Sequence, residues 1–180
     1  MLEIALGVSL VAGCGAAPDA EGASPFPPRP ATIDLRGVDV CELVDDEDLV
    51  ERDLEPGTAT VADVGGIPSP TCAWIATDGR ASYSVQNIGQ PASIALGGPT
   101  SEVARVAGFG AVLDAPEVNN GPGFPAFCQV AVDLNDDQTL RIQVSNGDPR
   151  TGGDQAELDR VCTEASTFAA LIVDGLPAQR

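Results

Sequence analysis

The sequence predicts an α+β fold, in which helices pack on one antiparallel sheet within a single domain. Two pairs of short runs alternate between apolar and polar residues and are separated by turn residues, as in β-hairpins. A long amphipathic segment near the C-terminus predicts a helix. Four cysteines are distributed over residues 41–162. The chain has 180 residues and is 43% hydrophobic, which is enough to bury one core. The predicted domain covers residues 34–180.

The N-terminal segment ends in Cys14 and is similar to a bacterial lipobox. An apolar run over residues 4–11 precedes the small residues Ala12 and Gly13, as in a signal peptide. The run is too short for a membrane-spanning helix, which needs about 20 residues. Glu3 departs from the pattern because signal peptides begin with basic residues, and the segment could instead be a buried strand or helix. The lipobox interpretation predicts a signal peptide over residues 1–13 and a diacylated Cys14 as the mature N-terminus.

A proline-rich stretch follows Cys14. Residues 15–31 contain five prolines and show no hydrophobic periodicity. Such a composition is typical of an extended, mobile linker. We therefore expect residues 14–33 to be a tether that holds the domain away from the membrane.

The first predicted helix runs from Asp39 to the Pro56-Gly57 pair. Val40, Leu43 and Val44 have helical spacing, and Asp39 is a suitable N-cap. Residues 45–48 are all acidic, so they could collect a weakly bound divalent cation, but a solvated helix face is the favoured interpretation.

The middle of the chain predicts a short strand over 58–64, a loop over 65–70, and a hairpin. The hairpin strands cover 71–76 and 81–88, and Asp78-Gly79 supplies the turn. Cys72 and Trp74 are two residues apart and so share one face. Trp74 is a weak candidate for stacking on a ligand, but a core position is favoured because large aromatic residues dominate cores.

The second half predicts a short helix over 99–107 and a strand over 108–113. A loop over 117–125 is rich in Gly, Pro and Asn, and its Asn119 and Asn120 are weak candidates for ligand binding. Alternation then predicts a second hairpin with strands over 127–134 and 139–144. The last helix is predicted over 154–174.

Five cysteines leave one unpaired, and the lipobox assigns that one, Cys14, to the lipid. Cys41, Cys72, Cys128 and Cys162 remain as an even set, which fits an oxidising compartment. Four cysteines allow three connectivities; we favour Cys41–Cys72 with Cys128–Cys162 because each pair lies within one half of the chain. A zinc site is the alternative, but zinc ligands usually include closely spaced pairs, which this sequence lacks.

The net charge of −18 excludes most polyanionic partners. The chain has 27 acidic and 9 basic residues, so it repels nucleic-acid phosphates, and no nucleic-acid binding is expected. All nine basic residues are Arg. The absence of Lys, with abundant Ala, Gly, Val and Asp, is typical of a GC-rich genome and suggests an actinobacterium.

Catalytic and metal motifs are scarce in the sequence. There is no His, which excludes Ser-His-Asp and Cys-His catalysis and His-ligated metals. A pair of carboxylates could still hydrolyse a glycoside, but acids are so abundant that no pair stands out. Asp133, Asn135 and Asp137 copy three positions of a calcium loop, which then lacks its Gly and Glu, so a hairpin turn is favoured. We expect no catalytic residue, metal or cofactor.

Five short segments occur in a recognisable order: Cys41-Glu42-Leu43-Val44, Cys72-Ala73-Trp74, residues 106–111, residues 128–133 and residues 162–165. Together they resemble the actinobacterial lipoproteins grouped as domain of unknown function (DUF) 3558. The resemblance covers residues 34–176, although the family usually has Pro where this chain has Val40, and Leu-Leu where it has Leu43-Val44. It implies a cell-envelope lipoprotein and gives no established activity.

Two functional classes remain open. The first is a ligand- or partner-binding or sensing module, lipid-anchored to the extracytoplasmic face of the cell membrane, which would hold a small ligand or an envelope protein between sheet and helix. The second is a structural lipoprotein that scaffolds an envelope complex through an exposed apolar patch. We favour the binding module.

Overall fold

A computed structural model describes residues 24–116, 125–146 and 153–176. Within them lie seven strands in one antiparallel sheet, a long C-terminal helix, a short helix and a 3-10 helix, which confirms the predicted α+β class. The elements in chain order are α1 Asp46–Glu51, β1 Thr58–Val64, β2 Ile67–Ile75, β3 Ala81–Ile88, a 3-10 helix Ala92–Gly97, β4 Ser101–Val106, β5 Phe109–Asp114, β6 Ala126–Asp133, β7 Thr139–Asn146 and α2 Gln155–Gly175.

The sheet consists of two meanders joined side by side. Its strand order is β1-β2-β3-β7-β6-β5-β4, so each strand in a meander pairs with its neighbour in sequence. The two meanders meet where β3 pairs with β7, in a register that runs from Ala81 opposite Asn146 to Ile88 opposite Thr139. This junction is the one strand pairing in the sheet that links distant parts of the chain.

Helix α2 covers one face of this sheet, and the predicted helix over 154–174 is confirmed. Asp154 caps it by accepting a hydrogen bond from the backbone N–H of Glu157. Its buried side chains recur every three or four residues and pack against β6 and β7. They are Leu158, Val161, Ala165, Phe168, Ala169, Ile172 and Val173.

Both predicted hairpins are present. Strands β2 and β3 are joined through Asp78-Gly79, where Gly79 has a φ of 71°, and β6 pairs with β7 along its whole length. The predicted strands over 58–64 and 108–113 correspond to β1 and β5.

The predicted helix over 39–55 is wrong, because only Asp46–Glu51 is helical. Before it, the Asp39 carboxylate accepts from the backbone N–H of Cys41 in a separate turn. After it, Asp53 adopts a positive φ of 53°, and Leu54 forms a bridge with Ala76 of the neighbouring chain segment. Pairing of this segment with the sheet thus ends the helix earlier than local periodicity suggests.

The loop predicted over 65–70 is also wrong, since β2 begins at Ile67 and includes Pro68 and Pro70. Strand β3 pairs only with residues 71–75 of β2, so the prolines lie where β2 has a single neighbour. Every second backbone nitrogen in such a stretch has no partner, and prolines two residues apart fit those positions.

The helix predicted over 99–107 is instead the edge strand β4. Ala107 and Gly108 have positive φ values of 47° and 85°, which makes them the tight turn of a hairpin with β5. The helical spacing of Val103 and Val106 was misleading, because pairing with β5 decides the conformation of this segment.

The described end of the predicted tether, residues 24–33, is packed on the domain. Phe26 is buried on the sheet, and Ile33 donates its backbone N–H to the Leu134 carbonyl oxygen. The Arg29 guanidinium forms a bidentate pair with Asp133, at 2.7 Å for both bonds, and also contacts Asp136. The boundary predicted at residue 34 is therefore too late: the folded domain includes residues 24–33.

Candidate functional site

The two disulfides fix the framework around which any site is built. Cys41 bonds Cys72 and Cys128 bonds Cys162, each with a Cα–Cα distance of 5.1 Å, which is the connectivity favoured from the sequence. The first disulfide joins the turn before α1 to β2. The prediction that Cys41 lies on a helix is therefore wrong. The second joins β6 to α2.

Trp74 lies in the hydrophobic core, as the favoured interpretation predicts. It is 1% exposed, and its ring meets the Phe168 ring edge-on at a centroid distance of 6.0 Å. A Cβ on Gly57 would lie 2.6 Å from both the Cys72 sulfur and the Trp74 Nε1 atom. A ligand therefore has no route to this ring in the structure. The other predicted site residues, Cys14, Asn119 and Asn120, lie outside the described residues.

A cleft of about 220 Å³ opens where β3 and β7 meet α2. Burial and the charge of Glu164 raise the pKa of Tyr83 to about 12, so its phenol stays neutral and donates to the Glu164 carboxylate at 3.5 Å. Glu164 also pairs with Arg52 at 2.5 Å, and Arg52 lies 5.4 Å above the Phe168 ring. These polar groups bind one another and connect the end of α1 to α2.

A second cleft, of about 330 Å³, lies beside the β6–β7 turn. Asn135 holds the turn: its Oδ1 accepts from the Asp137 N–H at 2.9 Å and its Nδ2 donates to the Ile33 carbonyl oxygen at 2.6 Å. Asp133 is 2% exposed and paired with Arg29. The side chains of Asp133 and Asn135, two of the three residues of the possible calcium loop, thus have other partners, and the pairing of β6 with β7 confirms the hairpin turn.

The side of the sheet away from α2, which we call the polar face, differs from both clefts. Cys128 is bonded to α2, so the next residue, Gln129, points to the opposite side. Four side chains beside one another on β3, β7, β6 and β5 form a hydrogen-bonded line there, extended by Thr100 before β4. We call this line the glutamine row; it consists of Ser84, Gln143, Gln129, Asp114 and Thr100.

The glutamine row is continuous from strand to strand. Ser84 Oγ donates to Gln143 Oε1 at 3.2 Å, and Gln143 Nε2 donates to Gln129 Oε1 at 3.3 Å. Gln129 Nε2 then donates to one Asp114 oxygen at 3.0 Å, and Thr100 Oγ1 donates to the other at 2.6 Å. All five residues are partly exposed. The row therefore presents ordered hydroxyl and amide groups, and one carboxylate that accepts from two of them, to the outside.

Next to this row, the polar face is closed by packed side chains. Phe26 and Ala92 pack there with Val112 and Ala131 in a small apolar cluster. The Arg141 guanidinium donates to the Gln86 side-chain oxygen, and burial lowers the pKa of Arg141. The 3-10 helix and the chain that precedes β1 therefore cover one end of the polar face. The side chains of the glutamine row stay partly exposed.

A family model described as "Protein of unknown function (DUF3558)" matches residues 9–174. The chain belongs to the DUF3558 family. No curated protein and no solved structure matches it significantly.

In this DUF3558 domain, sequence reasoning missed the glutamine row as a unit. Alternation along the two strands of the second predicted hairpin places Gln129 and Gln143 on its outward side. The available signal was that these outward positions, like Ser82 and Ser84 on β3, hold uncharged polar residues in a chain with 27 acids. The contact between β3 and β7 could not be derived from that pattern.

Within the three described ranges, no helix of this DUF3558 domain has the length and apolarity needed to cross a membrane. The same residues contain no group of three or more His, Cys, Asp or Glu side chains arranged to hold a metal ion.

Proposed function

We propose that this chain is a cell-envelope lipoprotein, anchored by a lipid on Cys14 to the extracytoplasmic face of the cell membrane. Its folded domain would act as a ligand- or partner-binding or sensing module without catalytic activity. The polar face is the surface that we assign to binding.

The observation that carries the proposal is the assignment of the cysteines. Four of the five cysteines form two disulfides, which are typical of proteins exported to an oxidising compartment. The fifth, Cys14, follows a short apolar run and two small residues, as a lipid-modified cysteine would. The family match begins at residue 9 and so includes this cysteine.

The binding role is supported by a rigid scaffold that presents ordered polar groups. Disulfides hold β2 and β6 to the elements around them, and neighbouring strands hold the glutamine row. Sites on strands keep their side chains in place more closely than sites on loops. The absence of His removes the commonest general base, which favours binding over catalysis.

The test is the intact mass of the chain extracted from the membranes of its own host. We expect a polypeptide that begins at Cys14, carries a diacylglycerol group and contains two disulfides. Cys14→Ala should remain unprocessed and lack the lipid, while Ala12→Gly, which keeps a small residue before the cysteine, serves as the matched control. An unmodified Cys14 in a chain that still begins at Met1 would contradict the proposal.

One observation favours a scaffolding lipoprotein as a second candidate. Strand β1 is the edge of the sheet, pairs only with β2 and is mostly exposed, with Val61 at 66%. It contains no Pro, and its one charged residue, Asp63, lies next to the β1–β2 turn and accepts from the Gly66 N–H, so most of the strand has none of the residues that commonly block edge-to-edge pairing. A protein that cross-links to β1 in membranes, and is lost in Val61→Lys but retained in Thr60→Ser, would favour this candidate.

A further inference from the structure

The half of the polar face formed by β1, β2 and β3 has an unusual charge pattern for this protein. Strand register places every second residue of β1, β2 and β3 on this side, and none of these side chains is charged. The whole chain, in contrast, has 27 acids and a net charge of −18. Solvated strand faces need no such exclusion of charge. The other half of this face, on β4 to β7, carries Arg105, Asp114, Asp133 and Arg141, and Asp114 of the row already accepts from Gln129 and Thr100. The hydroxyl and amide groups that remain able to bond along the row are uncharged, which suits a ligand that is polar and uncharged.

The glutamine row has the hydrogen-bonding character that such a ligand requires. A hydroxyl both donates and accepts, and a glutamine amide has two N–H donors and an acceptor oxygen. In the row, Ser84 Oγ keeps its lone pairs, and Gln143 and Gln129 each keep one N–H after bonding to their neighbours. Because these bonds already order the side chains, binding would cost little side-chain entropy.

Apolar side chains border the row on the same face. Ile75 is 55% exposed and lies opposite Ser82, which is followed across the sheet by Ser145 and Phe127. Phe127 is partly exposed. A sugar ring presents C–H groups as well as hydroxyls, so it can pack on these side chains while its hydroxyls reach the row.

The alternative ligand classes fit less well. Polyanions are repelled by the net charge of −18. A fully apolar ligand needs an apolar pocket, whereas the clefts of about 330 and 220 Å³ are lined largely by polar and charged side chains. A chain of neutral sugars has neither problem. The row crosses four strands, or about 15 Å at the usual strand spacing, which suits a polymer better than a single sugar.

We propose that the polar face binds a neutral polysaccharide of the cell envelope, which lies along the glutamine row and contacts Ser84, Gln143 and Gln129. This inference rests on the proposed function, because the lipid anchor would hold the domain beside such polymers. The domain would thereby tether the membrane to the surrounding polysaccharide or sense its presence.

The experiment uses the lipidated full chain in an uncharged detergent. Polysaccharide from the host cell wall, freed of lipid and protein, is separated by anion exchange into neutral and acidic fractions. Electrophoresis in native gels with increasing amounts of each fraction gives an apparent Kd. We expect retardation by the neutral fraction, and binding about tenfold weaker in Gln129→Ala/Gln143→Ala, which removes hydrogen bonds to at least two hydroxyls.

The matched control is Gln155→Ala, which removes an exposed glutamine from the other side of the domain, at the start of α2. It should bind as the original chain does. Thermal unfolding checks that the double variant is folded. If it is not, Ser84→Ala replaces it, with an expected loss of about threefold to tenfold.

Three results would overturn the inference: no retardation of the original chain by the neutral fraction, retardation by the acidic fraction alone, or equal binding by the folded row variants. A protein found bound to the row in place of the polysaccharide would also overturn it. The mass of each preparation shows separately whether Cys14 is lipidated. Failure to bind by a correctly lipidated chain would therefore reject the polysaccharide and leave the lipoprotein proposal intact.

Discussion

On the side of the sheet covered by α2, β7 contributes Leu140, Ile142 and Val144, all of them buried. On the other side, the same strand contributes Gln143 and Ser145, which are partly exposed and bond to side chains of neighbouring strands. Because side chains alternate along β7, one face of this strand is apolar and buried, and the other is polar and partly exposed. The helix face supplies apolar burial, the main source of stability, and the polar face supplies ordered hydrogen-bonding groups at little cost to the core.

If this separation is real, the largest effect on stability should come from the centre of the helix face. Phe168→Ala removes a ring that contacts Trp74 and Tyr83 at centroid distances of 6.0 and 5.0 Å. We expect the free energy of unfolding to fall by about 3–5 kcal/mol, measured by urea denaturation. The exposed neighbour Thr167→Ala is the control and should change it by less than about 0.5 kcal/mol. A loss below about 1 kcal/mol for Phe168→Ala would refute the assigned core.

The second largest effect on stability should come from removing the disulfide that joins α2 to the sheet. Cys128→Ala/Cys162→Ala opens a loop of sequence separation 34. Chain entropy predicts that the free energy of unfolding, measured by urea denaturation, falls by roughly 3–4 kcal/mol. Cys41→Ala/Cys72→Ala, with separation 31, is the matched comparison and should lose a similar amount. If reduction of the original chain leaves its urea midpoint unchanged, the disulfides do not act as described.

Gly110→Ala tests whether residues 24–33 belong to the folded domain. A Cβ at this position would lie 2.6 Å from the Phe26 Cβ, so Phe26 and its backbone must shift. We expect the free energy of unfolding, measured by urea denaturation, to fall by about 1–3 kcal/mol, and proteolysis near residue 26 to become faster. Gly97→Ala, where a Cβ would meet nothing within 4 Å, should leave both unchanged. Equal behaviour of the two variants would restore the interpretation of this stretch as a free tether.

Ionisation of Tyr83 reports on burial at the edge of the helix face. Burial and Glu164 raise its pKa to about 12, whereas the unfolded chain should titrate near 10. Between these values only the unfolded state loses its proton, so the free energy of unfolding should fall from pH 10 to pH 12 relative to Tyr83→Phe. Tyr83 is the sole tyrosine, so ultraviolet absorbance of its phenolate gives the midpoint directly. A folded-state midpoint near 10 would place this ring in water.

The smallest effect on stability is expected on the polar face. Gln143→Ala removes hydrogen bonds between partly exposed groups, so it should lower the free energy of unfolding by less than about 1 kcal/mol. Gln86→Ala is a sharper comparison, because Gln86 is buried and its loss leaves the Arg141 guanidinium without this acceptor. That variant should lose about 1–3 kcal/mol in the same measurement. Equal losses for the two variants would mean that the row is as structural as its buried neighbour.

Local patterns in the sequence determined the elements whose partners lie nearby. The spacing of Leu158, Val161 and Ala165 predicted α2, and Asp78-Gly79 predicted the first hairpin. The cysteine pairs also lie close enough in sequence that a pairing within each half was the favoured choice. In these cases, the periodicity or the turn chemistry is itself the physical cause of the structure.

Only the tertiary structure decided the elements whose conformation depends on a distant partner. Leu54 departs from the helical path and pairs with Ala76. Phe26 packs against Gly110, although the proline-rich stretch around it has no periodicity that would predict this contact. The glutamine row depends on the pairing of β3 with β7, which brings Ser84 to Gln143 across 59 residues. Outward positions on a strand could be predicted from alternation, but which of them become neighbours is set by the order of strands, and that order depends on how the whole core packs.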